Sequence, residues 1–160
     1  MFFRSWRALF LLASILLLVG CKARRPGHAE TAVMGVIKRR ITIRGSERNP
    51  VEAKDEEIEA GRKTFGQYCM VCHGLDGQNT GVPFANRMSP PVPDLKSQQV
   101  QSYSDGQLKR IIDDGIFPSG MPANRGILSD DEMWRIVLYL RHLPPKGSLG
   151  EPAVYGGSSP

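Results

Sequence analysis

No apolar run in this sequence reads as a confident membrane span. The N-terminal candidate, Ala8 to Val19, holds twelve positions broken by Ser14, against the ~20 residues a spanning helix needs at ~1.5 Å rise each. Cysteine is scarce: Cys21, Cys69 and Cys72 in 160 residues. Histidine is equally scarce, and apart from His73, next to Cys72, only His28 and His142 are spare. A four-ligand zinc site is therefore poorly supplied. There is no internal repeat. The folded region also lacks a basic excess. The net charge is +5, but residues 1–20 contribute +2 and residues 21–50 contribute +6. Residues 51–143 carry ten basic against thirteen acidic side chains. A nucleic-acid reader shows its basic patch on the domain, so no nucleic-acid partner is expected.

What the N-terminus does contain is an address. Arg4 and Arg7 precede the short apolar run, the layout of a secretory signal. Leu18-Val19-Gly20-Cys21 follows and resembles the lipobox of bacterial lipoproteins; the alternative is a plain signal peptide with a chance cysteine. The resemblance implies a signal peptide over 1–20, lipidation of Cys21, and a mature chain anchored to the outer, periplasmic side of a membrane in the bacterial envelope. Several acyl chains at ~0.8 kcal/mol per buried CH₂ hold such a chain where one would not. Residues 21–50 read as a basic linker, with an apolar alternation through Val36, Ile37, Ile41 and Ile43 that suggests a short strand.

The remaining cysteines stand in Cys69-Met70-Val71-Cys72-His73. A CxxC pair in an exported chain fits a disulfide, a redox pair, half a zinc site or a haem attachment, and the histidine that follows selects the last. On a helix, positions i, i+3 and i+4 share one face. Both thiols then reach one side of a porphyrin while His73 addresses its iron. One such motif predicts one covalent haem c.

Around it the pattern is helical. Asn49-Pro50 reads as an N-cap followed by proline at the first helical position, opening a helix toward Cys69 with Glu52, Asp55, Glu56 and Glu57 near its start. Gly74 to Pro93 reads as loop. Ser104-Asp105-Gly106-Gln107 and Ser129-Asp130-Asp131-Glu132 are capping boxes, each opening a helix, one ending at Gly115 and the other before Pro144-Pro145. Residues 144–160 read as a disordered tail. That leaves a domain over 51–143 with three to four helices, small enough that a central haem would supply much of its apolar core.

An iron held by His73 needs a partner opposite. Met121, in Pro118-Ser119-Gly120-Met121-Pro122 between two helices, is the leading candidate, with Met88 behind it. Met133 reads as core filler, and His142 as a solvent-facing or capping residue.

Residues 51–143 resemble the class I cytochrome c family. Gly61 and Phe65 stand eight and four positions before the first haem cysteine, and Ile136 and Tyr139 match the aliphatic and tyrosine of the final family helix. The resemblance implies an all-α fold in which the first and last helices cross at Gly61. It also implies a proline carbonyl that accepts the His73 N–H, for which Pro83 is the candidate, then Pro90 or Pro91. Tyr103, Arg87 and Arg125 are candidate propionate contacts. The implied function is one-electron transfer, as a carrier rather than an enzyme. The expected partner is a membrane-bound redox complex, either quinol-oxidising or a terminal oxidase, or a soluble cytochrome. Alternatives are a c-type haem sensor or peroxidase-like protein with an open distal site, and a haem-free thiol or zinc protein.

Overall fold

A computed structural model describes residue 27 and residues 45–117 and 119–156. The predicted signal segment, Cys21, Met34 and the expected strand before Ile43 lie outside the described residues. Residues 45 onward belong to one compact unit, Ile37–Pro160. Among the described residues it has five α-helices: α1 Asp55–Tyr68, α2 Met70–His73, α3 Gln98–Gln101, α4 Asp105–Asp114 and α5 Asp130–Arg141. Two 3₁₀ turns, Ala85–Arg87 and Ala153–Tyr155, complete it. The fold is all-α, as expected.

The two capping boxes form as the sequence predicts. Ser104 accepts from the Gln107 N–H and Ser129 from the Glu132 N–H, and each N3 side chain reaches back to its cap. Such a cap stabilises a helix by about 1 kcal/mol. The start of α1 differs. Asn49 does not cap it; its side chain accepts from the Val51 N–H at 2.9 Å and donates to the Trp134 carbonyl at 2.8 Å. The asparagine closes a local turn on itself and ties the chain to α5, so the helix opens only at Asp55.

The core is the crossing of α1 and α5. A Cβ at Gly61 would run into the Arg135 carbonyl, so glycine is what lets the two backbones approach. Phe65 and Tyr139 meet there with ring centroids 5.3 Å apart. Phe65, Ile136, Val137 and Tyr139 are all fully buried, each contributing ~1.5–3 kcal/mol of apolar burial. Leu108 and Ile112 bring α4 against the same cluster.

Both ends of the domain extend past the expected boundaries. The Glu47 carbonyl accepts from the Gly106 N–H at 3.0 Å, and the Ser104 hydroxyl donates to the Gly45 carbonyl. The domain therefore includes Gly45 and Glu47, inside the predicted linker. Residues 144–156, predicted as a disordered tail, are instead laid back across the loop after His73. Gly147 donates to Asp76 at 2.7 Å, Gln78 donates to the Pro144 carbonyl at 2.9 Å, and Pro152 is fully buried. Tyr155 donates to the Val71 carbonyl at 2.7 Å and packs edge-on against Phe84. Glycine- and proline-rich composition disfavours helix and strand, but it does not forbid a strap whose N–H groups find buried acceptors.

Candidate functional site

The attachment motif occupies a helical junction. After α1 ends, the Cys69 carbonyl accepts from the N–H groups of both Cys72 and His73, at 3.2 and 3.0 Å. That turn gathers the two thiols and the imidazole. Both cysteines are free and half-buried, and Cys69 packs against the core cluster. Burial, aided by the neighbouring Cys72, pushes the Cys69 thiol up to about 12. His73 is 9% exposed, and burial lowers its pKa to about 4, against an opposing pull from the Pro93 carbonyl. The ring is therefore neutral near pH 7, the form that ligates a metal.

Pro93, not Pro83, is the proline whose carbonyl acts on His73. The loop after His73 is tied back to the motif at Asn79, whose N–H donates to the His73 carbonyl at 2.8 Å, and again near Val92. There the Asn79 side chain donates to the Val92 carbonyl at 2.9 Å, and the Leu95 N–H donates to the Gly77 carbonyl at 2.9 Å. The Pro93 carbonyl stands near the ring without completing a hydrogen bond, and His73 Nδ1 remains a buried atom with no partner.

Met121 sits in the α4–α5 connection, half-buried against the same cluster as Cys69. Its segment hangs from the end of α4 by two latches. The Ile116 N–H donates to the Met121 carbonyl at 3.0 Å, and Gly115, at φ 68°, has no room for a Cβ beside that carbonyl. On the far side, the Asn124 N–H and side chain donate to the Ile112 carbonyl at 3.2 and 3.0 Å. Arg125 grips the largely buried Asp113 through two bonds and also pairs with Asp114. Arg125, a candidate propionate contact, is thus engaged with α4. The runner-up Met88 is close by: its terminal methyl lies beside Gly120. His142 caps α5, its Nδ1 2.8 Å from the Leu138 carbonyl.

Sequence reasoning missed Asp76. It is fully buried and accepts from the Gln78 N–H at 2.9 Å, the Thr80 hydroxyl at 2.6 Å and the Gly147 N–H at 2.7 Å. Burial alone would raise its pKa, but these bonds outweigh it and the carboxyl titrates below the usual range. Tyr139 was read only as a family match; its hydroxyl donates to the Leu75 carbonyl at 3.0 Å. The glycines around Asp76 were the available signal, since a lone acid in a glycine-rich loop often accepts from the backbone.

These residues suit a covalent haem: two thiols and a neutral, buried imidazole stand on one turn. A family model for cytochrome c oxidase, cbb3-type, subunit III matches residues 56–140. The chain belongs to this c-type cytochrome family. The cytochrome is 30% identical over 91 residues to the quinohemoprotein alcohol dehydrogenase ADH IIB of Pseudomonas putida, covering 57% of this chain and 12% of that protein. It is 27% identical over 96 residues to cytochrome c550 of Pseudomonas aeruginosa, covering 58% of this chain and 60% of that one. Both relatives thus extend well beyond the matched region. A solved chain of the reducing HAO-like protein complex of Kuenenia stuttgartiensis aligns at 25% identity and a TM-score of 0.47, over 58% of this chain and 46% of that one. The family implies haem c and electron transfer. No helix among the described residues is long and apolar enough to cross a membrane.

Proposed function

We propose that this cytochrome is a one-electron carrier with a single haem c bound through Cys69 and Cys72 and ligated by His73 and Met121, held by a lipid on Cys21 at the outer face of a bacterial membrane. When bound, the haem supplies an iron that passes between Fe(III) and Fe(II). The chain's own residues do the rest. The Cys69 carbonyl fixes the turn that carries both thiols and the imidazole. Burial keeps the imidazole neutral. The latches at Gly115–Ile116 and Asn124–Arg125 hold the Met121 backbone, so a thioether ligand would not swing away between oxidation states, and a thioether favours Fe(II). The observation that carries the reading is that Cys69 and Met121, distant in sequence, pack against one core cluster.

A tether raises the effective concentration of membrane-bound partners, which would be a quinol-oxidising complex or a terminal oxidase of a respiratory chain. Phe117 and Ile127, which flank Met121 in sequence, are 98% and 62% exposed and offer apolar area for such docking. The relatives' names, a quinohemoprotein alcohol dehydrogenase and a cytochrome c550, are in keeping with a carrier serving an oxidoreductase.

The test is the absorption spectrum of haem-loaded protein in both oxidation states. A low-spin spectrum with a weak far-red ferric band, abolished in Met121→Ala and retained in Met88→Ala, is expected. A high-spin spectrum with rapid carbon monoxide binding to the reduced wild type would replace this reading with a sensor or peroxidase-like one.

A further inference from the structure

We propose that the buried Asp76 carboxylate tunes the reduction potential of this cytochrome, its uncompensated negative charge favouring the ferric state of an iron held by His73. The inference rests on His73 being the iron ligand. Asp76 stands three residues after His73, so their Cα atoms are at most about 11 Å apart. It lies in the middle of a turn that closes on the ligand, because the Asn79 N–H donates back to the His73 carbonyl at 2.8 Å. The same turn is fixed to the wall beside the imidazole. The Tyr139 hydroxyl donates to the Leu75 carbonyl at 3.0 Å, the Tyr139 ring meets that of Phe65, and the Phe65 ring centroid is 6.4 Å from that of His73.

The carboxylate has no counter-ion in this turn. Each of its donors is neutral: the Gln78 N–H at 2.9 Å, the Thr80 hydroxyl at 2.6 Å and the Gly147 N–H at 2.7 Å. Among the described residues, no lysine or arginine pairs with it. Lys96, the cation that reaches the neighbouring strap, bonds instead to the Leu143 and Pro144 carbonyls, at 3.1 Å each. Neutral donors hold a carboxyl in its ionised form and leave its net charge in place. Asp76 is fully buried, so salt screens that charge little. Oxidation of the site adds one positive charge, and the carboxylate attracts it. For unit charges about 12 Å apart at an effective dielectric of about 20, the resulting bias is about tenfold.

The test uses full-length, haem-loaded protein: wild type, Asp76→Asn, Thr80→Val and Thr80→Lys. Asparagine removes the charge. Valine removes one donor and leaves the charge. Lysine, entering from a half-buried position, brings a cation to the carboxylate. The readouts are the reduction potential at low and high salt, the absorption spectrum and the urea midpoint. Asp76→Asn should shift the redox equilibrium toward Fe(II) by about tenfold, roughly 59 mV for one electron, and the shift should persist at high salt. Thr80→Val should lower the urea midpoint without raising the potential. A less stable Asp76→Asn with an unchanged potential overturns the proposal, because it assigns Asp76 to the fold alone. An equal rise in Thr80→Val also overturns it, because loosening the turn would then be the cause. If Asp76→Asn does not fold, the two Thr80 variants decide: a rise confined to lysine upholds the proposal, and no rise overturns it. A wild-type protein without a low-spin spectrum overturns the ligand reading, and this inference with it; a normal wild-type spectrum with an unmoved potential in the variants overturns only the role of Asp76.

Discussion

Asp76→Asn tests what holds the attachment loop against the C-terminal strap. The carboxylate receives three donors, and Oδ2 alone takes the Thr80 hydroxyl and the Gly147 N–H, at 2.6 and 2.7 Å. Asparagine can keep the Oδ1 bond from the Gln78 N–H, but its amide nitrogen then confronts the two Oδ2 donors. Hydrogen bonds to a charged group are worth ~1.5–3 kcal/mol each, so losing two costs about 3–6 kcal/mol. For a domain near 100 residues that is a fall in Tm of roughly 15 °C or more. The assay is urea unfolding of haem-loaded wild type and variant at several pH values. The native carboxyl titrates below its ordinary value, so its stabilisation is complete above the unfolded pKa of about 4 and disappears as pH falls through the native one. The wild-type advantage should therefore be constant from pH 7 to about pH 5 and shrink below about pH 4. A difference under about 1 kcal/mol at pH 7, or one that widens in acid, would refute the reasoning.

Gly61→Ala weighs two effects of opposite sign. Alanine gains about 1 kcal/mol of helix propensity, but its Cβ meets the Arg135 backbone, and overpacking costs ~1–3 kcal/mol, at the upper end because backbone cannot rotate aside. Urea unfolding should show a net loss of about 2 kcal/mol, and a stabilised variant would mean that the helices do not cross there. Tyr139→Phe deletes the bond to the Leu75 carbonyl and should cost about 1–2 kcal/mol. Burial also raises the Tyr139 pKa to about 12, so the stability it contributes is whole below pH ~10 and is lost as pH rises toward 12. In an ultraviolet pH titration, one of the four tyrosines should ionise late, and that late component should vanish in the phenylalanine variant.

Much of this was legible in the chain itself, for local reasons. A capping box is four residues long, so Ser104–Gln107 and Ser129–Glu132 announce α4 and α5 without reference to anything distant. The haem signature is five residues on one helical turn, and Gly61 with Phe65 lies within two turns of it. The family's pattern of first and last helices supplied their crossing. Asn49 misled because its side chain had two uses, as helix cap or as link to Trp134, and only the position of α5 chose between them.

What the tertiary structure alone decided are the partnerships between segments that composition treats as loop. Pro83, then Pro90 or Pro91, are the acceptors the sequence suggests, and Pro93 is not among them; Asn79 reaching Val92 and Leu95 reaching Gly77 tie the neighbours of Pro93 back to the attachment loop. Residues 144–156 look unstructured in the sequence because glycine and proline favour no regular element. Their order comes from Asp76 and Val71, about seventy and eighty residues earlier, which offer buried or backbone acceptors to Gly147 and Tyr155. Local sequence determines what a segment can form by itself. Where its remaining donors go depends on which acceptors the rest of the chain has carried to the same place.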